Sequence, residues 1–245
     1  MKKIIERMEA MHGKPVEEPK TAFRRFLDLT PEERQAIENE RNKMLAEKHL
    51  TNLEKAGVGK RFLKRNFENL IVDDENRKAV ETARRFIKRF MEKKGDIDTG
   101  ILFAGSVGSG KTHIACAIAN SLIKAGYSTS YVNITDIISR VQSTYKSNDV
   151  TEKEIIDEIL KHDLIIIDDL GKETPTKNTV NILYNLINRI YEDMKPIIVT
   201  TNFGGQALKQ RYGDSGEAIA SRLKEMTSQV VLTGNDRREM NKNEV

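Results

Sequence analysis

Tryptophan is absent from this 245-residue chain, cysteine occurs once and proline only five times. A single thiol, Cys116, excludes an internal disulfide and any zinc site built on several cysteines. It falls among apolar residues, which suits a packed thiol. The four histidines, His12, His49, His113 and His162, are scattered without metal-ligand spacing. No apolar run approaches the roughly 20 residues that a membrane span requires, and the charged N-terminal stretch has no hydrophobic signal core. A dominant charge is missing too: 41 Lys+Arg against 37 Asp+Glu leave +4, which permits nucleic-acid contact without demanding it. The expectation is a soluble protein of a reducing cytoplasm, with no membrane partner. It is long enough for one sizeable α/β core and a smaller appendage.

Against these gaps stands one dense stretch, Gly105-Ser106-Val107-Gly108-Ser109-Gly110-Lys111-Thr112. It follows the apolar run Ile101–Ala104 and leads into His113–Ala119, so its order is strand, glycine turn, helix. Glycines let successive N–H groups turn inward on a phosphate. Lys111 adds a point charge at the β/γ-phosphates, and the Thr112 hydroxyl suits Mg²⁺. The helix N-terminus contributes further positive partial charge. The plain alternative is a turn with a solvated lysine, but the complete pattern with both flanking elements favours a nucleotide.

Residues 1–56 are rich in Lys, Arg and Glu and contain no strand-like run. Ile4, Ile5, Met8 and Met11 suit one face of a short helix. Thr30-Pro31-Glu32-Glu33 is a helix start, with Thr30 as cap and Glu33 closing a capping box. The narrow stripe Ile37, Met44, Leu45 and Leu53 fits either a helix docking on a partner or a charged extension without one. Residues 57–75 read as a connector whose Phe62 and Phe67, among basic residues, either stack on nucleic acid or pin the linker to its neighbour; pinning is the commoner use. From residue 76 to 245 strands alternate with helices, which implies a parallel sheet covered on both faces. A stripe from Ala79 to Met91 marks a helix ending at Gly95, with Arg84, Arg85, Lys88 and Arg89 on its polar face. Strands are expected at Ser130–Ile134, Asp163–Asp169, Pro196–Asn202 and Val230–Leu232. Thr135-Asp136 is read as the cap of a helix through Tyr145, and Thr151 with Glu154 as the capping box of another. Further helices are expected on the Ile182–Tyr191 stripe and around Ala218–Met226.

The strand Leu164–Ile167 would deliver Asp168 and Asp169 to the sheet edge where the phosphate loop also emerges. Asp168 would hold Mg²⁺ and Asp169 would orient or deprotonate the attacking water. Asn202, closing the next strand, has an amide able to hold that water. Arg222 and Arg237 are candidates for presentation to a neighbouring subunit's γ-phosphate. Each is weighed against an ordinary surface ion pair.

Together, Gly105–Thr112, Leu164–Gly171, Ile197–Asn202 and Ser221-Arg222-Leu223 resemble the AAA+ ATPases, in particular replicative-helicase loaders of the DnaC/DnaI type. The connector Ala56–Asn69 is similar to that family's entry into its ATPase domain. The resemblance covers roughly residues 50–238. It implies a five-stranded P-loop (ASCE) core with a helical N-terminal region that binds a hexameric DNA helicase. It also implies ATP and Mg²⁺ as cofactors, self-association through the ATP sites, and delivery of the helicase onto single-stranded DNA during replication. By the same resemblance Lys111 and Thr112 carry the Walker A roles, Asp168 and Asp169 Walker B, and Asn202 sensor one. Arg222 matches the arginine finger and Arg237 sensor two, while Tyr145 and Lys146 match an insertion used near single-stranded DNA. Two departures stand out. Many AAA+ proteins carry Glu where this chain has Asp169, which suits slow hydrolysis, and a cysteine zinc module found in some relatives is impossible here. Other readings are an IstB-type transposition helper acting on duplex DNA, a small-molecule kinase, and an adaptor that binds ATP without hydrolysing it.

Overall fold

A computed structural model describes residue 30 and residues 64–144, 150–234, 236 and 237. The helices expected within residues 1–56, Phe62, and the DNA-contact candidates Tyr145 and Lys146 lie outside the described residues.

The order of elements is α1 (Arg77–Glu92), β1 (Gly100–Gly105), α2 (Lys111–Lys124), β2 (Thr129–Asn133), α3 (Ile134–Thr144), α4 (Glu152–Leu160), β3 (Leu164–Leu170), α5 (Lys177–Glu192), β4 (Ile197–Thr201), α6 (Gly205–Arg211), a 3₁₀ turn (Gly213–Ser215), α7 (Gly216–Met226) and β5 (Thr227–Leu232). All strand pairs are parallel, in the order β2-β3-β4-β1-β5. The central strands are apolar on both faces, as a sheet covered on both sides requires. Their residues sort with period two. Leu102, Ala104, Ile165, Ile167 and Val199 pack with apolar residues of α3, α4, α5 and α7. Ile101, Phe103, Leu164, Ile166 and Ile198 pack with those of α1 and α2.

Two local expectations need correction. β2 ends at Asn133, and Ile134 opens α3 as a fully buried residue. The cap is therefore Asn133, whose Oδ1 accepts from the Thr135 N–H at 3.0 Å; Thr135 and Asp136 lie inside the first turn. The short α6 was also not anticipated, because only Leu208 of its seven residues is buried and it offers no stripe to read. The capping box on α4 is present with both bonds, Glu154 N–H to Thr151 Oγ1 and Thr151 N–H to Glu154 Oε2.

The described part of the connector is pinned to the core. Phe67 packs against the α1/α2 cluster with the Arg84 guanidinium 4.9 Å from its ring centre. The buried Asn120 on α2 donates to the Arg65 carbonyl at 2.6 Å. His113 Nε2 lies 3.0 Å from Asn66 O and 3.1 Å from Asn69 Oδ1. Both partners are acceptors, so Nε2 carries the proton.

Candidate functional site

The phosphate-type loop leaves β1, turns, and enters α2 at Lys111. Gly108 has φ +79, and a Cβ there would strike the Asp236 carboxyl at 2.1 Å; glycine is required both by the turn and by the close approach. Ser106 Oγ donates to Gly234 O at 3.0 Å, and Gly108 O accepts from the Arg237 N–H at 3.2 Å. The loop is thereby clasped by the segment after β5. Lys111 is buried, and its ammonium donates to Gly105 O at 3.0 Å and Ser106 O at 2.7 Å.

One strand separates β1 from β3 in the sheet, and that strand, β4, supplies the link between them. Asp168 is only 4 % exposed, and its carboxylate is ringed by hydroxyl donors. Thr112 Oγ1 donates to Oδ1 at 3.0 Å, Thr200 Oγ1 also donates to Oδ1, and Tyr131 Oη donates to Oδ2 at 2.6 Å. Burial, together with the neighbouring Cys116 and Asp168, pushes the Tyr131 phenol far above its ordinary range, so it remains a donor. Cys116 itself is buried, and burial followed by the Asp168 charge pushes its thiol up to about 12; it is a packed, unreactive group.

Asp169 behaves differently from its neighbour. The β3–β4 register shifts between Ile167 and Leu170, and Asp169 adopts φ +61 within that irregularity. The acidic pair thus sits at a bulge within β3 and not beyond its end. The Asp169 N–H is held by Thr200 Oγ1 at 2.9 Å, while its carboxylate pairs with Lys172 Nζ at 2.6 Å.

A cavity of about 340 Å³ opens over this arrangement. Val107, Gly108, Gly110, Lys111, Thr112, Asp169, Lys172 and Asn202 line it. Arg237 lines it too, with its guanidinium 2.6 Å from Asp73 Oδ2 and 3.3 Å from Ile71 O. That guanidinium holds the Asp73 carboxyl below the usual carboxylate range. Arg222 is not brought to this cavity. It lies on α7 with its guanidinium over the rings of Tyr184 and Tyr191, 5.1 and 5.6 Å from their centres.

The residues present fit a magnesium–triphosphate. The buried Ser109 hydroxyl has no partner among the described residues, and Lys111 is a buried cation beside the glycine turn. The Thr112 and Asp168 oxygens form a hard-donor pair. Such a pair suits Mg²⁺, which commonly takes few protein ligands and completes its shell with phosphate and water.

A profile of the family described as IstB-like ATP binding protein matches residues 1–245. The chain belongs to the IstB-like ATP-binding proteins. It is 28% identical over 150 residues to the replicative helicase loader DnaC of Escherichia coli (strain K12), a match that covers 61% of this chain and 60% of that protein. The crystal structure of the DnaC helicase loader superposes with a TM-score of 0.63 at 24% identity, over 71% of this chain and 99% of that one. The replication initiator DnaA bound to AMPPCP and single-stranded DNA does so with a TM-score of 0.59 at 26% identity, over 74% and 54%. The fold of this IstB-like chain is that of the AAA+ P-loop proteins, with the five parallel strands and flanking helices that the motifs had led one to expect.

Sequence reasoning missed four members of the site: Tyr131, Thr200, Lys172 and Asp73. A tyrosine on an apolar strand and a threonine before a strand end are unremarkable in a linear sequence. Only the parallel register, with Asn133 beside Asp168 and Ile167 beside Val199, turns them toward the carboxylate.

Proposed function

We propose that this chain is an ATP-dependent loader that binds the replicative hexameric DNA helicase and delivers it onto single-stranded DNA, with slow ATP hydrolysis as the release switch. Gly105–Thr112 would wrap the phosphates, Lys111 would leave its loop carbonyls for the β/γ-oxygens, and Thr112 and Asp168 would hold Mg²⁺. Bound there, the metal would supply a Lewis acid for the phosphoryl group. Asp169 and Asn202 would orient the attacking water, and Arg237 would close over the phosphates. Arg222, which lies off its own cavity, would serve a neighbouring subunit's site. Residues 1–56 would carry the helicase contact, residues 57–75 the connection and residues 76–245 the ATPase, while Tyr145 and Lys146 would meet single-stranded DNA in the cytoplasm. Having Asp169 where many relatives have Glu places the carboxylate one methylene short, which favours slow turnover.

The observation that carries the ATPase assignment is the 3.0 Å bond from Thr112 Oγ1 to Asp168 Oδ1, two residues 56 positions apart joined under one cavity. Loading is supported by the similarity to DnaC. The deciding experiment is size exclusion of the full chain with its cognate hexameric helicase, with and without ATP. Co-elution that depends on ATP supports loading. No association in either condition rejects it, and duplex-DNA binding stimulated by ATP then favours a transposition helper, to which the family match over residues 1–245 also lends support.

A further inference from the structure

The Asp169–Lys172 pair is built into a rigid turn. The Asp169 backbone is fixed at φ +61 by its N–H bond to Thr200 Oγ1, and Lys172 N–H returns to Asp169 O at 3.1 Å. Between them, Gly171 sits at φ +95, where a Cβ would lie 2.5 Å from the Phe203 ring. Its N–H donates to Glu173 Oε2 at 3.0 Å. Glu173 is 4 % exposed and is held in turn by Tyr212 Oη, so the turn is anchored from below by a buried carboxylate. With the backbone so constrained, the two side chains face each other across one turn. Asp169 is 22% exposed and Lys172 57%, so the lysine is the partner free to move.

We propose that Lys172 is a positioning residue that latches Asp169 in a charge-paired resting state and so holds down the basal rate of hydrolysis. The proposal rests on the ATP-site assignment above. While the ammonium occupies Oδ2 at 2.6 Å, that oxygen is less available to orient or accept a proton from water. Lys172 also lines the cavity. An exposed four-carbon stem can swing away from Asp169 at little cost. Release of Asp169 is then tied to an acidic group on a partner that draws Lys172 away, and the bound nucleotide alone leaves the pair in place.

The test compares full-length wild type, Lys172→Met and Lys172→Arg by DNA-free ATPase kinetics and by binding of a fluorescent non-hydrolysable ATP analogue. Met removes the charge and keeps the stem; Arg keeps the charge. Lys172→Met is expected to raise kcat by about tenfold, less than the roughly 10²–10⁴-fold that a positioned general base contributes in full, because the latch only lowers the availability of Asp169. KM and analogue affinity should move by less than about threefold, and Lys172→Arg should restore the low rate. A kcat in Lys172→Met at or below wild type overturns the latch. A fall in kcat with a large rise in KM also overturns it, making Lys172 a phosphate ligand instead. Wild type that neither binds the analogue nor turns over ATP brings down the ATP-site assignment itself, an outcome distinct from either.

Discussion

The floor and the rim of the cavity are built from opposite materials. On the floor, Lys111 and Asp168 are 6 % and 4 % exposed, and they bond carbonyls and hydroxyls delivered by β2, β4 and the loop. On the rim, Asp169 with Lys172 and Arg237 with Asp73 and Glu75 are ion pairs with side chains 15–57% exposed. A buried polar network is costly to leave half-satisfied, so the floor exchanges a partner only when an incoming phosphate or metal takes its place. Exposed ion pairs contribute about 0–1 kcal/mol and exchange partners cheaply, so the rim can have several arrangements. The floor suits holding a metal and phosphate, and the rim suits responding to them.

Substitutions should divide along that line. The largest effect is expected from Lys111→Ala, which removes the floor's cation. Loss of two charge-assisted contacts at about 1.5–3 kcal/mol each should weaken binding of an ATP analogue by at least ~100-fold, read by fluorescence titration. Affinity within about threefold of wild type would place the phosphates elsewhere. A smaller effect is expected from Tyr131→Phe. It leaves the buried Asp168 Oδ2 short of one donor, costing about 1–3 kcal/mol, or roughly 2–12 °C in melting temperature for a chain of this size. An unchanged melting point would mean that the tyrosine hydroxyl does not brace the carboxylate.

The same division explains what could be read from the sequence. Floor groups that arise from consecutive residues were legible: the glycine turn needs its own local conformation, and four apolar residues before Asp168 announce a buried strand. The Thr151 and Glu154 box was legible for the same reason, since both bonds close within one helical turn. Tyr131 and Thr200 were hidden because their role depends on strand register, which period-two patterning leaves open. The rim was hidden more deeply. Arg237 meets Asp73 across 164 positions, and nothing local to either residue names the other. Asn133 displaced Thr135 as the cap because either side chain can cap a helix, and only the observed end of β2 decides between them.

The smallest expected effect separates, by pH, the connector contact of His113 from the rim contact of Asp73. Burial, opposed in part by the bond to Asn66, holds the His113 imidazole below its usual value of 6.5. A depressed folded value means that its contribution is complete above the unfolded value and is lost as pH falls through the folded one. The Arg237 bond holds Asp73 below 3.8, so by the same sign its contribution persists down to that point and fades only beneath it. Melting temperature measured from pH 8 to pH 4.5 should therefore drop below about pH 6.5 in wild type, and part of that drop should vanish in His113→Gln. Asp73→Asn should lower the whole curve by at most about 4 °C, the equivalent of about 1 kcal/mol, without changing its slope in this range. If Asp73→Asn flattens the curve between pH 6.5 and pH 4.5, the carboxylate titrates there and Arg237 is not its partner in solution. The rim would then be looser than the 2.6 Å ion pair implies.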